Sequence, residues 1–80
     1  DGEFALVDPE NTTYSKNKIY VVTYNDEGYI KRLEMKDKLK VITLKSDNPD
    51  YDDIDIPEEM QEYFQINGRV VEVISKKKLL

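Results

Sequence analysis

The sequence predicts a mostly β fold, and three observations support this prediction. Eighteen residues are β-branched (seven Val, seven Ile and four Thr) and eight are aromatic, whereas alanine, the best helix former, occurs once. The apolar residues fall into short runs separated by turn-forming clusters, which is typical of strands. Eighty residues with a 39% hydrophobic fraction supply one modest core, so we expect a single small domain.

The apolar runs predict the strands in order along the chain. We expect four strands over residues 3–7, 18–24, 29–33 and 40–45. The second and third form a hairpin through the link 25–28, in which Gly28 stands where a positive φ is expected, and the fourth continues a meander. Residues 63–66 and 70–74 predict one long strand that is broken by a bulge or sharp bend at Asn67 and Gly68.

A long acidic loop separates these two groups of strands. Residues 47–62 contain eight acidic residues and no basic one, and Pro49 and Pro57 interrupt the stretch. Such a composition predicts a surface segment with at most a short strand over residues 54–56. Pro57 followed by acidic residues is also the pattern of a first helical turn, so a single turn of helix can form there.

Composition excludes several classes of function. The chain has no Cys and no His, which removes disulfides, thiolate or imidazole catalysis and zinc sites built from those ligands. The acidic loop fails the calcium-loop spacing at Asp50, Asp52 and Ile54, so we expect no metal and no cofactor. A net charge of −5 argues against a nucleic-acid surface on this domain. The six tyrosines are therefore assigned to core edges and a protein interface.

Hydropathy and cysteine content bear on location. No run approaches eighteen apolar residues and there is no basic-then-apolar leader, so we expect a soluble protein without a membrane segment. The absence of cysteine fits a cytoplasmic protein.

Lys31 is the candidate for chemistry. Strand alternation places it on one face with Tyr29 and Leu33, so two apolar side chains flank its amine. Poor solvation favours the neutral amine, which can accept a proton as a general base. Periodicity alone favours the plainer alternative, in which the methylenes lie along apolar neighbours and the nitrogen reaches water.

The other polar residues give weaker signals. Arg32 could pair with the acidic loop, but a solvated strand arginine is the expectation. Ser46 begins a run of turn formers in which side-chain bonds to nearby backbone are expected. Neither Ser15, Ser46 nor Ser75 has the surroundings of an activated nucleophile.

Four motifs in order resemble the carboxy-terminal domain of LexA-like regulators, a group of serine–lysine autopeptidases that includes lambda-type phage repressors, LexA and UmuD-like proteins. The motifs are similar to the family's Asp-Gly-Asp opening with its apolar strand, its Val-Lys-Arg-Leu signature, its Ser-Asp-Asn-Pro-x-Tyr segment and its Gly-Arg-Val strand, at residues 1–7, 29–33, 44–51 and 66–71. The resemblance implies a LexA/signal-peptidase-like β-ribbon fold over residues 1–75, followed by a frayed basic tail over residues 76–80. It also implies that Lys31 is the base of a serine–lysine dyad.

The same resemblance implies a larger parent protein. The family's nucleophilic serine lies in a Ser-Met segment shortly before the Asp-Gly opening, so a chain beginning at Asp1 is expected to be inactive by itself. The parent is expected to be a transcriptional repressor that cleaves its own linker and contacts DNA only through an amino-terminal helix-turn-helix domain. A homodimer and a RecA-type coprotease are the partners that the resemblance implies.

Two alternatives remain open from the sequence. The chain could be a non-catalytic β-rich protein-interaction module, in which Lys31 is an ordinary strand residue. It could also be a fragment of an UmuD-like serine–lysine peptidase that acts on other chains. The ionisation of Lys31, in a protein that retains the residues upstream of Asp1, separates the base from the ordinary strand residue.

Overall fold

The computed structural model describes residues 3–36 and 40–75. They form one antiparallel sheet whose strands run in the spatial order β1-β6-β2-β3-β4-β5. The strands are β1 (Glu3–Asp8), β2 (Ile19–Tyr24), β3 (Glu27–Lys36), β4 (Val41–Lys45), β5 (Ile54–Pro57) and β6 (Phe64–Ser75). This architecture confirms the predicted mostly β fold, whereas the expected fraying of residues 76–80 lies outside the described residues.

Strands β2, β3 and β4 form the predicted meander, but one turn differs from expectation. A two-residue turn joins β2 to β3, and its φ angles are positive, at 52° for Asn25 and 68° for Asp26. Asn and Asp tolerate the left-handed region, so the turn does not require glycine. The prediction of a positive φ at Gly28 is wrong, because Gly28 lies inside β3 opposite Thr23.

Strand β6 closes the sheet by lying between β1 and β2. It is continuous, but its register against β2 shifts where the sequence predicted a bulge. Val21 pairs with Gly68 and Val22 pairs with Ile66, which leaves Asn67 as the extra residue. The side-chain amide of Asn67 donates to the Thr23 hydroxyl at 2.8 Å and so fixes the bulge.

A second bulge lies on the other side of β6. Leu6 of β1 pairs with Glu72, whereas Val7 pairs with Val70, so Val71 is the extra residue there. Beyond its pairing with β2, β6 continues with β1 alone as a two-stranded ribbon. This ribbon carries exposed apolar side chains, because no further strand packs on it within the described residues.

The acidic loop is more ordered than its composition suggested. Its second half forms β5, which pairs with β4, and a six-residue 3₁₀ helix (Glu58–Tyr63) that follows Pro57 as predicted. Ile56 of β5 is fully buried, so part of the acidic stretch belongs to the core. Within residues 3–36 and 40–75 no helix has the length and hydropathy that a membrane span requires.

The core lies on strands β2 to β5. Its buried apolar side chains are Tyr20, Val22, Leu33, Ile42, Leu44 and Ile56. In β2 they alternate with more exposed side chains, as in a half-buried antiparallel sheet, whereas in β4 the polar Thr43 is buried between two of them.

Tyr20 lies inside this core rather than at its edge, which corrects the assignment made from composition. Its ring is fully buried, while its hydroxyl reaches the loop before β2. The hydroxyl accepts from the Ser15 amide at 2.7 Å and donates to the Thr13 carbonyl at 3.0 Å. A core side chain therefore fixes the loop between β1 and β2.

Candidate functional site

Lys31 lies where β3 leaves the core, and the sheet register determines its neighbours. On one side it pairs with Tyr20, whose ring is fully buried. On the other side Arg32 pairs with Lys45, so the residue after Lys45 is brought alongside Lys31. That residue is Ser46, and the Lys31 Nζ donates to the Ser46 Oγ at 2.7 Å.

An aromatic ring lies over the same amine. The Lys31 Nζ is 5.5 Å from the centroid of the Tyr51 ring, within the range of a cation–π contact. The Lys31 side chain is half-buried as a result, since Tyr20, Ser46 and Tyr51 surround it. The amine is thus contacted by a hydroxyl and by an aromatic face.

Ser46 is itself held by a carboxylate. Its backbone N–H donates to Asp53 Oδ1 at 2.9 Å, and Asp53 Oδ2 forms an ion pair with Lys45 Nζ at 3.2 Å. The hydrogen bond from the Ser46 amide and the bond from Lys45 hold the pKa of the Asp53 carboxyl below its usual value. The same carboxylate raises the pKa of Lys45. Asp53 therefore ties the two ends of the loop over residues 46–53 together.

The tip of this loop is organised by its own polar residues. Asn48 Oδ1 accepts from the Asp50 amide at 2.9 Å, and the Asn48 carbonyl accepts from the Tyr51 amide at 3.1 Å. These are the side-chain and backbone bonds of a tight turn, as the sequence predicted for this run. The turn directs the chain back so that Tyr51 reaches Lys31.

Arg32 makes an ion pair with the loop, and the expectation of a solvated arginine is wrong. Its Nε and Nη2 donate to the two oxygens of Asp47 at 3.1 and 2.8 Å, and its Nη1 donates to the Asn17 carbonyl at 2.8 Å. The hydrogen bonds from Arg32 lower the pKa of Asp47, while Asp47 raises the pKa of Arg32. Arg32 thereby links Asn17, in the loop before β2, to Asp47, the residue that follows Ser46.

A shallow cleft with a volume of about 280 Å³ opens beside the amine. Ile19, Ile30 and Val73 form its apolar wall. Polar side chains of the loop over residues 46–53 line the rest of the cleft. Ile30 and Val73 are each more than half exposed, at 56% and 54%. Because Val73 pairs with Ala5, the start of β1 runs beside this cleft.

A second cleft, of about 320 Å³, lies at the β2–β3 turn. It contains Asp26 and Glu62, and no basic side chain stands among its described lining residues. In the part of the chain that the structure describes, no group of three acidic side chains is arranged to hold a metal ion. Of these two clefts, the one beside Lys31 is lined by basic side chains.

The structure brings together two of the polar residues singled out from the sequence, Lys31 and Ser46, and keeps a third apart. Ser15 is exposed, and its backbone contacts the Tyr20 hydroxyl. The sequence analysis did not connect Ser46 or Tyr51 with Lys31. An antiparallel alignment of strands three and four that paired Arg32 with Lys45 was the signal that could have found Ser46.

Comparison with known proteins adds one finding. Residues 1–71 match the family model described as Peptidase S24-like. No curated protein matched the chain in a comparison of sequences.

Proposed function

Because this chain belongs to the Peptidase S24-like family, the group of the LexA-like carboxy-terminal domain, we propose that it is the self-association and autoproteolysis domain of a LexA-like or phage-type transcriptional repressor. The observation that carries the proposal is the Lys31 amine, held between Ser46 and Tyr51 at the side of a cleft. A strand lysine serving only solubility would extend its nitrogen into water.

In the proposed reaction Lys31 is the general base for a serine that precedes Asp1 in the parent protein. The neutral amine takes the proton of the serine hydroxyl as the serine oxygen attacks the carbonyl carbon of a linker peptide bond. Lys31 then gives this proton to the leaving amine, and water hydrolyses the acyl-enzyme. In this proposal the residues from Asp1 onward supply the base and the cleft, and the upstream segment supplies the nucleophile.

The position of β1 supports this assignment of the base to Lys31 and of the nucleophile to the segment upstream of Asp1. Ala5 lies opposite Val73, which lines the cleft beside Lys31. In this proposal the attacking serine reaches the amine from the cleft side.

The proposed role in transcription is self-association. The ribbon of β1 and β6 presents exposed apolar side chains at Leu6, Val71 and Val73, which suit a second copy of the chain. Pairing two copies raises the effective concentration of their DNA-binding domains at paired half-sites. DNA contact itself is assigned to a separate helix-turn-helix domain, since this chain has a net charge of −5.

The test uses the parent protein with the residues that precede Asp1. We expect the wild type to cleave its own linker, and Lys31→Ala to slow the cleavage by at least about 100-fold, the usual contribution of a general base. Lys36→Ala is the matched control, because Lys36 lies on the same strand with an exposed side chain. Mass spectrometry of the fragments over time measures the rate.

Three outcomes would contradict the proposal. Equal cleavage rates for wild type and Lys31→Ala would remove Lys31 from the chemistry. A parent without an upstream serine or a helix-turn-helix domain would favour a non-catalytic interaction module. Cleavage of other chains, in the absence of a DNA-binding domain, would favour an UmuD-like peptidase instead. Sedimentation of the 80-residue chain tests self-association separately.

A further inference from the structure

We propose that Ser46 is a positioning residue for Lys31, and that Asp53 holds Ser46 in place for this purpose. The hydroxyl fixes the direction in which the amine presents its lone pair to a reacting group. This inference rests on the proposed role of Lys31 as a general base and names the residue that makes the base directional.

An amine that acts as a base does so through its lone pair, in the neutral form. A neutral amine has two N–H donors and one lone pair, and it rotates freely about the Cε–Nζ bond unless its donors are engaged. One N–H is engaged by the Ser46 Oγ at 2.7 Å. The Tyr51 ring lies 5.5 Å away and provides a π face for the second. The lone pair then points to the remaining open side, which is the cleft.

Ser46 is itself held in place by its neighbours. Its backbone N–H is bonded to Asp53 at 2.9 Å, and Asp53 is paired with Lys45 at the end of β4. Ser46 thus extends the ladder that β4 forms with β3, in which Arg32 pairs with Lys45. A hydroxyl on a strand end holds an amine more accurately than one on a loop tip.

Ser46 is not suited to be the nucleophile itself, although its hydroxyl is within hydrogen-bond distance of the amine. A serine that attacks a carbonyl needs N–H donors to stabilise the oxyanion. The Ser46 amide is already engaged by Asp53, and Asp47 adds a second carboxylate next to it in the chain. Because this amide is engaged, it is not available to stabilise an oxyanion, so the surroundings of Ser46 suit positioning and oppose attack.

The test of the contact needs no proteolysis. In the 80-residue chain, NMR measures the exchange of the Lys31 Nζ hydrogens with water in the wild type, Ser46→Ala, Ser46→Thr and the control Ser15→Ala. We expect up to about tenfold faster exchange in Ser46→Ala, because that is about the factor that the net contribution of one hydrogen bond provides. Ser46→Thr and Ser15→Ala should exchange like the wild type. Amide spectra establish that each variant is folded.

The test of the function uses the same variants in the parent protein. We expect Ser46→Ala to lower kcat for self-cleavage by about tenfold or more, as misplacement of a catalytic group does, and Ser46→Thr to restore it. The proposal is overturned by unchanged Lys31 exchange in Ser46→Ala, by unchanged kcat despite faster exchange, or by labelling of Ser46 with a serine-directed phosphonate. If no parent variant cleaves, the wild type included, the proposed function fails and the proposed positioning role falls with it. The exchange data then still report whether Ser46 holds the amine.

Discussion

The amine of Lys31 and the hydroxyl of Ser46 lie 2.7 Å apart, although 15 positions separate the two residues in the sequence. The β3–β4 hairpin brings them together, because its register runs from Lys36 opposite Val41 to Arg32 opposite Lys45. The next position on each strand is then Lys31 on one side and Ser46 on the other. The site depends on this register as much as on the residues themselves.

Gly68 is predicted to be intolerant of any side chain. A Cβ atom there would lie 2.7 Å from Val7 Cγ1, 2.9 Å from the Asp8 carbonyl oxygen and 3.1 Å from Pro9 Cα. Two of these atoms belong to the backbone, which cannot move aside without disturbing β1. We expect Gly68→Ala to lower the free energy of unfolding by about 1–3 kcal/mol. Urea denaturation measures it.

The matched control for this substitution is Gly28→Ala. No heavy atom lies within 4 Å of a Cβ built at Gly28. The free energy of unfolding should change by no more than about 0.5 kcal/mol. Equal effects at the two glycines would contradict the close approach of β1 to β6.

The Tyr20 hydroxyl is predicted to stabilise the loop before β2. Tyr20→Phe keeps the buried ring but leaves the Ser15 amide and the Thr13 carbonyl without this partner. We expect a loss of about 1–2 kcal/mol in thermal or urea unfolding. Tyr63→Phe is the control, because Tyr63 is about half exposed, at 51%. A loss at Tyr63 as large as that at Tyr20 would contradict this role of the Tyr20 hydroxyl.

The Arg32–Asp47 pair predicts a pH dependence of stability. Hydrogen bonds from Arg32 lower the pKa of Asp47 in the folded state below its ordinary value of 3.8. The stabilising contribution of the Arg32–Asp47 pair is therefore fully present above pH 3.8, and it is lost as the pH falls through the pKa that Asp47 has in the folded state. Because Asp47 is 59% exposed and Arg32 35%, we expect at most about 1 kcal/mol.

The measurement compares the wild type with Asp47→Asn by urea denaturation between pH 7 and pH 2. The difference in the free energy of unfolding should be constant near neutrality and should shrink below about pH 4, where the carboxyl becomes protonated. Asp50→Asn is the control, since Asp50 is an exposed acid in the same loop. A difference that grew on acidification would have the wrong sign for this pair.

Tyr51 is predicted to assist Lys31 through its ring rather than its hydroxyl. Its ring centroid lies 5.5 Å from the amine. In the parent protein, Tyr51→Ala should slow self-cleavage by about two- to fivefold, because the amine loses the π face for its second N–H, a weak contact worth about 0.5–1 kcal/mol. Tyr51→Phe should cleave at the wild-type rate. Equal loss in both variants would assign the effect to the hydroxyl.

The local pattern of the sequence predicted the strands well, because short runs rich in β-branched and aromatic residues, bounded by turn formers, mark β2 and β4. Lys31 could be singled out from the period of two along β3, which places Tyr29 and Leu33 on its face. The bulge at Asn67 was also predicted, because Asn and Gly within an apolar strand favour an extra residue there.

Long-range relationships could not be predicted in this way. The position of β6 between β1 and β2 depends on pairing between residues far apart in the chain, which local propensity does not encode. The contact of Ser46 with Lys31 depends on the length of the turn between β3 and β4, and several lengths fit the charged residues there. The positive φ was expected at Gly28 because glycine is the commonest such residue, whereas Asn25 and Asp26 adopt it instead.

The pairing of β6 makes this strand sensitive to length as well as to composition. Deleting the bulge residue Asn67 would keep Ile66 opposite Val22 and Gly68 opposite Val21, whereas deleting a regularly paired residue such as Arg69 would move every later side chain of the strand to the opposite side of the sheet. After a deletion of the second kind Val73 would leave the wall beside Lys31, and the β1–β6 ribbon would expose a different set of side chains. A change of one residue in strand length would thus alter the cleft beside Lys31 and the exposed apolar ribbon together, even where individual substitutions are harmless.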